Sequence, residues 1–123
     1  MVLGGNPMND YFDALETRSP DEREVQQFMQ LREQLRHAKA SIPAYADLLQ
    51  GVDPESITDR AGIAKLPVTR KSEMAQAQAK VPPLGGYTDL HGKTLPRVFA
   101  SPGAIFEPQA NSEDFWRTAA SIA

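Results

Sequence analysis

Cysteine is absent from the 123-residue chain, and the sequence contains no cluster of basic residues. Without cysteine, disulfides, thiol catalysis and cysteine-ligated metal sites are excluded. No apolar run approaches the length of a transmembrane helix, and residues 1–9 lack the basic and apolar regions of a signal peptide. A net charge of −3 without a basic patch argues against nucleic acid as a partner. We therefore expect a soluble, cytoplasmic protein with no membrane partner.

The strongest local signals are helical and lie in the first half of the chain. Ser19, followed by Pro20 and by Glu22 three positions on, is typical of a helix N-terminus with a capping box. Pro43 should end this helix, because the residue before a proline is displaced from the α region. Between these limits, apolar residues recur at spacings of three and four and predict one buried stripe: Val25, Phe28, Leu31, Leu35, Ala38 and Ile42.

Shorter helices are predicted after Pro43. One covers residues 44–49, and a further turn starts with Asp53 as its cap. Another covers residues 59–66. Thr69 can then cap a helix over residues 70–79, which has little apolar surface and should be mostly exposed.

The two histidines do not form a recognisable site. No acid or nucleophile lies near His37 in the sequence, so we expect it to face solvent at the end of the long helix, where its charge suits the dipole. His91 lies in a loop rich in glycine and aspartate, and two separate histidines lack metal-ligand spacing. We predict no catalytic and no metal-ligating residue in this chain.

A strand–turn–strand pattern occupies Arg97 to Pro108, after a long loop over residues 81–96. Its centre is Ser101-Pro102-Gly103. In α/β enzymes such a turn often places a phosphate, because a glycine backbone can approach the ligand closely. The alternative is a β-hairpin turn that binds nothing. One last helix is predicted from residue 111 onward.

Four blocks, in this order and spacing, resemble the N-terminal region of phenylacetate-CoA ligase-like enzymes, in the acyl-adenylate-forming (AMP-dependent synthetase/ligase) superfamily. No single block is specific, but their succession over nearly the whole chain is. The blocks are Tyr11-Phe12-Asp13, then residues 37–45 with Leu48-Leu49, then residues 66–73, and finally residues 97–108 followed by Phe115-Trp116.

The resemblance implies a two-step reaction, in which a carboxylate attacks the α-phosphate of ATP and the thiol of coenzyme A then displaces AMP. The implied cofactors are ATP, Mg²⁺ and coenzyme A, and the implied substrate is an aromatic or related carboxylic acid. A dimer of the full-length enzyme is also compatible with the family. The family's ribose-binding aspartate, adenine segment, acyl pocket and catalytic lysine would all lie beyond Ala123. We therefore expect no catalysis and no tight cofactor binding by this chain alone.

The family's phosphate loop, of the form Ser-Ser-Gly-Thr-Thr-Gly-x-Pro, should fall at residues 100–108, where the sequence departs from it. Ser101, Gly103 and Pro108 match, whereas Ala104 and Ile105 replace the threonines, Phe106 replaces the second glycine, and the loop has no lysine. The resemblance therefore leaves the Ser101 hydroxyl and the Gly103 amide as candidate phosphate donors. Glu107 would repel a polyphosphate.

The expected fold class is α/β, mostly helical in this chain: an N-terminal helical region beside the first strands of a larger sheet. We divide it into an arm over residues 1–18, a helical region over residues 19–80, and an incomplete nucleotide-binding domain over residues 81–123. The favoured function is the N-terminal portion of an acyl-adenylate-forming CoA ligase. One alternative is a non-catalytic binding or scaffold module that kept the subfold and lost the phosphate loop. A second is a small helical interaction protein whose resemblance is accidental.

Overall fold

A computed structural model describes residue 11 and residues 13–89, 95–103 and 105–109 of the chain. Within these residues the protein is a small mixed α/β chain with four α-helices and one two-stranded antiparallel sheet. The helices are α1 (Pro20–Ser41), α2 (Pro43–Leu48), α3 (Arg60–Ile63) and α4 (Lys71–Lys80), with a 3₁₀ turn at Pro54–Ser56. The strands are β1 (Val98–Ser101) and β2 (Ile105–Pro108). The last predicted helix, from residue 111 onward, lies outside the described residues.

Helix α1 begins with the predicted capping box. The Ser19 hydroxyl accepts a hydrogen bond from the Glu22 backbone N–H, and the Glu22 carboxylate accepts one from the Ser19 backbone N–H. The Ser19 hydroxyl also donates to the Glu22 carboxylate, at 2.9 Å. The bond from the Ser19 backbone N–H, followed by the bond from its hydroxyl, lowers the pKa of Glu22 below its ordinary value of 4.5. Two backbone donors at the start of the helix are thereby satisfied.

The core forms where the stripe of α1 meets the segments that follow it. Five buried residues make up the central cluster: Phe28, Leu35, Ala38, Leu49 and Ile57. Leu31 and Ile42 of the stripe pack against this cluster from partly buried positions. Val25, however, is 63% exposed, so its predicted burial is wrong. The short α3 stands beside the first turns of α1 and leaves a groove there, which Val25 lines.

Three of the predicted helix starts after α1 are confirmed, and the predicted cap of α4 is wrong. Pro43 both follows the end of α1 and opens α2, while Asp53 and Asp59 cap the 3₁₀ turn and α3 with their carboxylates. Helix α3 stops at Ile63, short of the predicted residue 66. Thr69 is not the cap of α4: Arg70 holds that position without a side-chain hydrogen bond.

The segment after α4 connects that helix to α2. Leu84 and Thr88 are buried in it, and the Gly86 carbonyl accepts a hydrogen bond from the Ala44 N–H at 3.1 Å. Tyr45 and Tyr87 meet edge to face with ring centroids 5.4 Å apart. Residues 81–89 are therefore an ordered connection, which fixes α4 relative to the core of α1 and α2.

The predicted strand–turn–strand is confirmed as an antiparallel β-hairpin. Val98 is opposite Pro108, and Ser101 is opposite Ile105, with Pro102 and Gly103 in the turn. Gly103 has φ +98°, a conformation that glycine adopts without the strain of a side chain. Within the described residues, no helix is both long and apolar enough to cross a membrane.

Candidate functional site

Helix α4 holds the hairpin through the side chain of Gln78. Its amide oxygen accepts from the Phe106 N–H at 2.9 Å, and its amide nitrogen donates to the Phe106 carbonyl at 2.7 Å. Gln78 is only 6% exposed and is the buried residue of α4. The helix that the sequence predicts to be mostly solvent-facing therefore presents a buried polar residue that positions β2.

Two turns earlier on the same helix, Lys71 reaches the tip of the hairpin. Its ammonium donates a hydrogen bond of 2.6 Å to the carbonyl of Pro102. A β-carbon built at Gly103 would lie 3.1 Å from the Lys71 Nζ and 3.3 Å from its Cε. The lysine therefore packs against the backbone of Gly103. A side chain on any other residue at position 103 would crowd the lysine.

The hairpin tip thus gathers three groups that can face an anion. Ser101 ends β1 as a half-buried residue, and Gly103 follows it across the turn. Lys71 is exposed, and one of the three N–H bonds of its ammonium is used by Pro102. Two N–H donors of the Lys71 ammonium therefore remain next to Gly103, and Ser101 lies two residues earlier in the chain. An ammonium, a hydroxyl and a glycine amide are types of group that bind phosphate in proteins.

Sequence reasoning predicted Ser101 and Gly103 but missed Lys71. The resemblance places Lys71 in a separate block, residues 66–73, and the loop itself contains no lysine. No local signal connects a helix start to a turn 31 residues away. The only hint in the sequence was the basic pair Arg70-Lys71 at the start of a predicted helix.

His37 has a partner that the sequence did not indicate. Its Nε2 lies 3.1 Å from the carboxylate of Asp89, which is distant in the sequence, and the histidine side chain is 49% exposed, as expected for a solvent-facing residue. Both side chains are partly exposed, and the pair connects the end of α1 with the segment after α4. His91 lies outside the described residues. Among those that are described, no three acidic, histidine or cysteine side chains come together as metal ligands.

A groove of about 600 Å³ lies elsewhere, between α1 and the segment that leads into α3. Phe28 and Val25 line it together with Ala61, and the Arg60–Glu24 ion pair of 2.8 Å lies at its side. Its lining includes no residue of α4 or of the hairpin. Its charges balance overall, so the groove is a weaker candidate for a phosphate than the hairpin tip.

No family model, curated protein or solved structure matches this chain. Two grounds for a function remain: the geometry at the hairpin tip, and the resemblance of the four sequence blocks to phenylacetate-CoA ligase-like enzymes. The class of molecule that the structure itself defines is a small mixed α/β chain, with a helical core and a hairpin attached through α4.

Proposed function

We propose that this chain is the N-terminal portion of a cytoplasmic, ATP-dependent acyl-adenylate-forming CoA ligase, similar to phenylacetate-CoA ligases. Its substrate class is an aromatic or related carboxylic acid. In this proposal the hairpin tip contacts the polyphosphate of ATP, with Ser101 and Gly103 as donors. The chain alone does not carry out the reaction, because the family's nucleotide-base, acyl and catalytic-lysine regions have no counterpart within residues 1–123.

The observation that carries the proposal is the position of Lys71. The family's phosphate loop contains a lysine, and the hairpin of this chain contains none. The ammonium of Lys71 nevertheless lies 2.6 Å from the Pro102 carbonyl, inside the same turn. A cation supplied from α4 offsets the charge of a polyphosphate as a lysine of the loop would.

Gly103 supports the same role through its backbone. Its φ of +98° is one that glycine adopts without strain, and the missing β-carbon leaves the space in which the Lys71 ammonium lies against the turn. The residues present therefore fit a phosphate group, although with fewer hydroxyl donors than the family's threonines provide. Mg²⁺, when bound to the nucleotide, would neutralise part of the phosphate charge, and coenzyme A would supply the thiol of the second step.

A non-catalytic binding or scaffold module is the second candidate, and one observation favours it. The bond from Lys71 to Pro102, together with the double bond from Gln78 to Phe106, attaches the hairpin to α4 without any ligand. In that case the turn is a structural element, and Lys71 serves to hold it. The two functions differ in whether the lysine is still available to an anion.

Titration of the ¹⁵N-labelled chain with Mg·ATP, followed by NMR, separates the two candidates. The ligase proposal predicts shifts at the Ser101 and Gly103 amides with Mg·ATP and with inorganic pyrophosphate, but not with adenosine. Binding in the millimolar range is expected, because a few exposed donors contribute only about 4 kcal/mol in total. Shifts that are absent from the turn, or equal with adenosine, would favour the scaffold module.

A second test uses a longer chain that carries the downstream regions. Gly103→Val should raise its apparent ATP requirement sharply, since the side chain would obstruct the approach of the nucleotide and press on Lys71. Thermal unfolding of the same variant distinguishes a local effect from loss of the fold. An unchanged ATP requirement in a folded variant would mean that the turn is only structural.

A further inference from the structure

The groove between α1 and the segment that leads into α3 has the size and the lining of a small-molecule site. Its volume of about 600 Å³ lies within the range of about 300–1,000 Å³ that such sites occupy. Val25, Phe28 and Arg32 line it from one face of α1, at positions i, i+3 and i+7, and Ala61 lines it from α3. At about 1.5 Å per residue, the distance along the helix from Val25 to Arg32 is about 10 Å. The groove is therefore long enough for a flat ring system with one polar end.

The two acidic residues that line the groove already have close partners. The Glu24 carboxylate accepts a hydrogen bond of 2.8 Å from the Arg60 Nε. The Asp59 carboxylate accepts one of 2.7 Å from the Gly62 backbone N–H, as the cap of α3. Both distances are those of well-formed hydrogen bonds. A cationic ligand would have to compete with these partners for either carboxylate.

Arg32, in contrast, has only distant partners. Its side chain is 23% exposed, its Nη1 lies 3.4 Å from the Ile57 carbonyl, and its Nε lies 3.9 Å from the Glu55 carboxylate. Both distances exceed those of ordinary N–H···O bonds, and no shorter bond of Arg32 occurs in the part of the chain that the structure describes. Glu55 lies closer to Arg36, at 3.5 Å, and does not line the groove. The charge of the groove whose donors are least satisfied is therefore positive.

We propose that this groove binds a small carboxylate with a flat apolar body, of the aryl carboxylate class. The planar guanidinium of Arg32 matches a carboxylate with two parallel N–H donors. Thr58 also lines the groove and can supply a hydroxyl donor. The ring of the ligand packs along Phe28 and Val25, where an aromatic group buries apolar surface.

This carboxylate site is separate from the hairpin tip and does not depend on the ligase proposal. The groove is lined by no residue of α4 or of the hairpin. Nor is it the acyl pocket of the proposed ligase, which would lie beyond Ala123. The amides of the groove and those of Ser101 and Gly103 report on the two sites separately, so the failure of either proposal can be recognised by itself.

NMR titration of the ¹⁵N-labelled, 123-residue chain with 2-naphthoate tests the proposal. The amides of Val25, Thr58 and Ala61 should shift and saturate with a dissociation constant of about 1 mM, as the size of the ligand allows. The uncharged 2-naphthamide should bind about tenfold more weakly, because it cannot pair with the guanidinium. Acetate, which lacks the apolar body, should not saturate these shifts.

Two variants, each with a matched control one turn further along α1, locate the ligand. Arg32→Gln should weaken the binding of 2-naphthoate about tenfold, whereas Arg36→Gln, which also faces Glu55 but lies outside the groove, should bind as the wild type does. Val25→Glu should weaken binding at least as much, because it adds a negative charge to the apolar wall. Met29→Glu adds the same charge at an exposed position outside the groove and should have little effect. Circular dichroism checks that each variant folds, and Val25→Glu keeps the test valid if Arg32→Gln does not.

Three results would overturn the proposal. The groove amides could stay unchanged at about 10 mM 2-naphthoate, well above the expected dissociation constant. The amide and the carboxylate ligand could bind equally well, or folded Arg32→Gln and Arg36→Gln could behave alike. The shifts could also be confined to Ser101 and Gly103, which would assign the carboxylate to Lys71 at the hairpin tip.

Discussion

Gln78→Glu should detach the hairpin from α4 while changing the volume of the side chain very little. In the wild type the amide accepts from the Phe106 N–H and donates to the Phe106 carbonyl. A carboxylate retains the first bond but has no proton for the second. It also brings a negative charge beside the carbonyl oxygen, at a position that is only 6% exposed.

The magnitude follows from these contacts. Losing one buried hydrogen bond and leaving its acceptor without a partner costs about 1–3 kcal/mol. The burial of a carboxylate adds to this, so we expect a loss of about 2–3 kcal/mol in the free energy of unfolding near pH 7. Gln76→Glu makes the same chemical change at an exposed position of the same helix and should cost less than about 0.5 kcal/mol.

Urea unfolding followed by circular dichroism measures this difference, and exchange at the Phe106 amide localises it. The pH dependence adds a second check. Burial raises the pKa of the introduced carboxyl, and the protonated form can donate to the Phe106 carbonyl as the amide does. The penalty should therefore shrink as the pH falls. If the two variants were equally stable at pH 7, the role assigned to Gln78 would be wrong.

Three further predictions concern the helical region and its connection to α4. Ser19→Ala should lower the free energy of unfolding by about 1 kcal/mol, the usual contribution of a helix N-cap, as measured by urea unfolding. Because the folded chain lowers the pKa of Glu22, the unfolded chain binds its proton more tightly, and this contribution to stability is lost as the pH falls below about 4.5. Glu22→Gln should remove that part of the acid dependence, and an unchanged acid profile would contradict the assignment. Gly85→Ala should destabilise by more than about 1 kcal/mol, because its φ is +66° and the new β-carbon would lie 2.8 Å from the backbone nitrogen of Gln78. Gly51→Ala, with open space around it, is the matched control and should be near neutral in thermal unfolding.

Local signals in the sequence predicted much of the helical region. Ser19 with Glu22, and the carboxylates of Asp53 and Asp59, act within a few residues of their own position, so their partners can be identified from spacing alone. The predictions failed where the burial of a residue depends on segments that are distant in the sequence. Val25 fits the helical period, but it lines the open groove beside α3 and remains exposed.

The hairpin could be predicted, but its attachment could not. The turn at Ser101 and Gly103 follows from residue types that favour tight turns. Lys71 and Gln78 reach the hairpin across 31 and 28 residues, and nothing in their neighbourhood in the sequence indicates those partners. The composition of α4, rich in alanine and glutamine, is typical of a solvent-exposed helix. Gln78 is nevertheless buried, because its side chain hydrogen-bonds the backbone of Phe106 in β2.

The most direct test of the proposed function is the affinity of the chain for inorganic pyrophosphate, measured by NMR for the wild type and two variants. Lys71→Met removes the ammonium at the hairpin tip, and Lys80→Met removes one from the far end of the same helix. Loss of one charge-assisted hydrogen bond, of about 1.4 kcal/mol or more, should weaken binding by Lys71→Met about tenfold. Lys80→Met should bind as the wild type does. Equal affinities for all three proteins would contradict a phosphate-binding role for the hairpin tip.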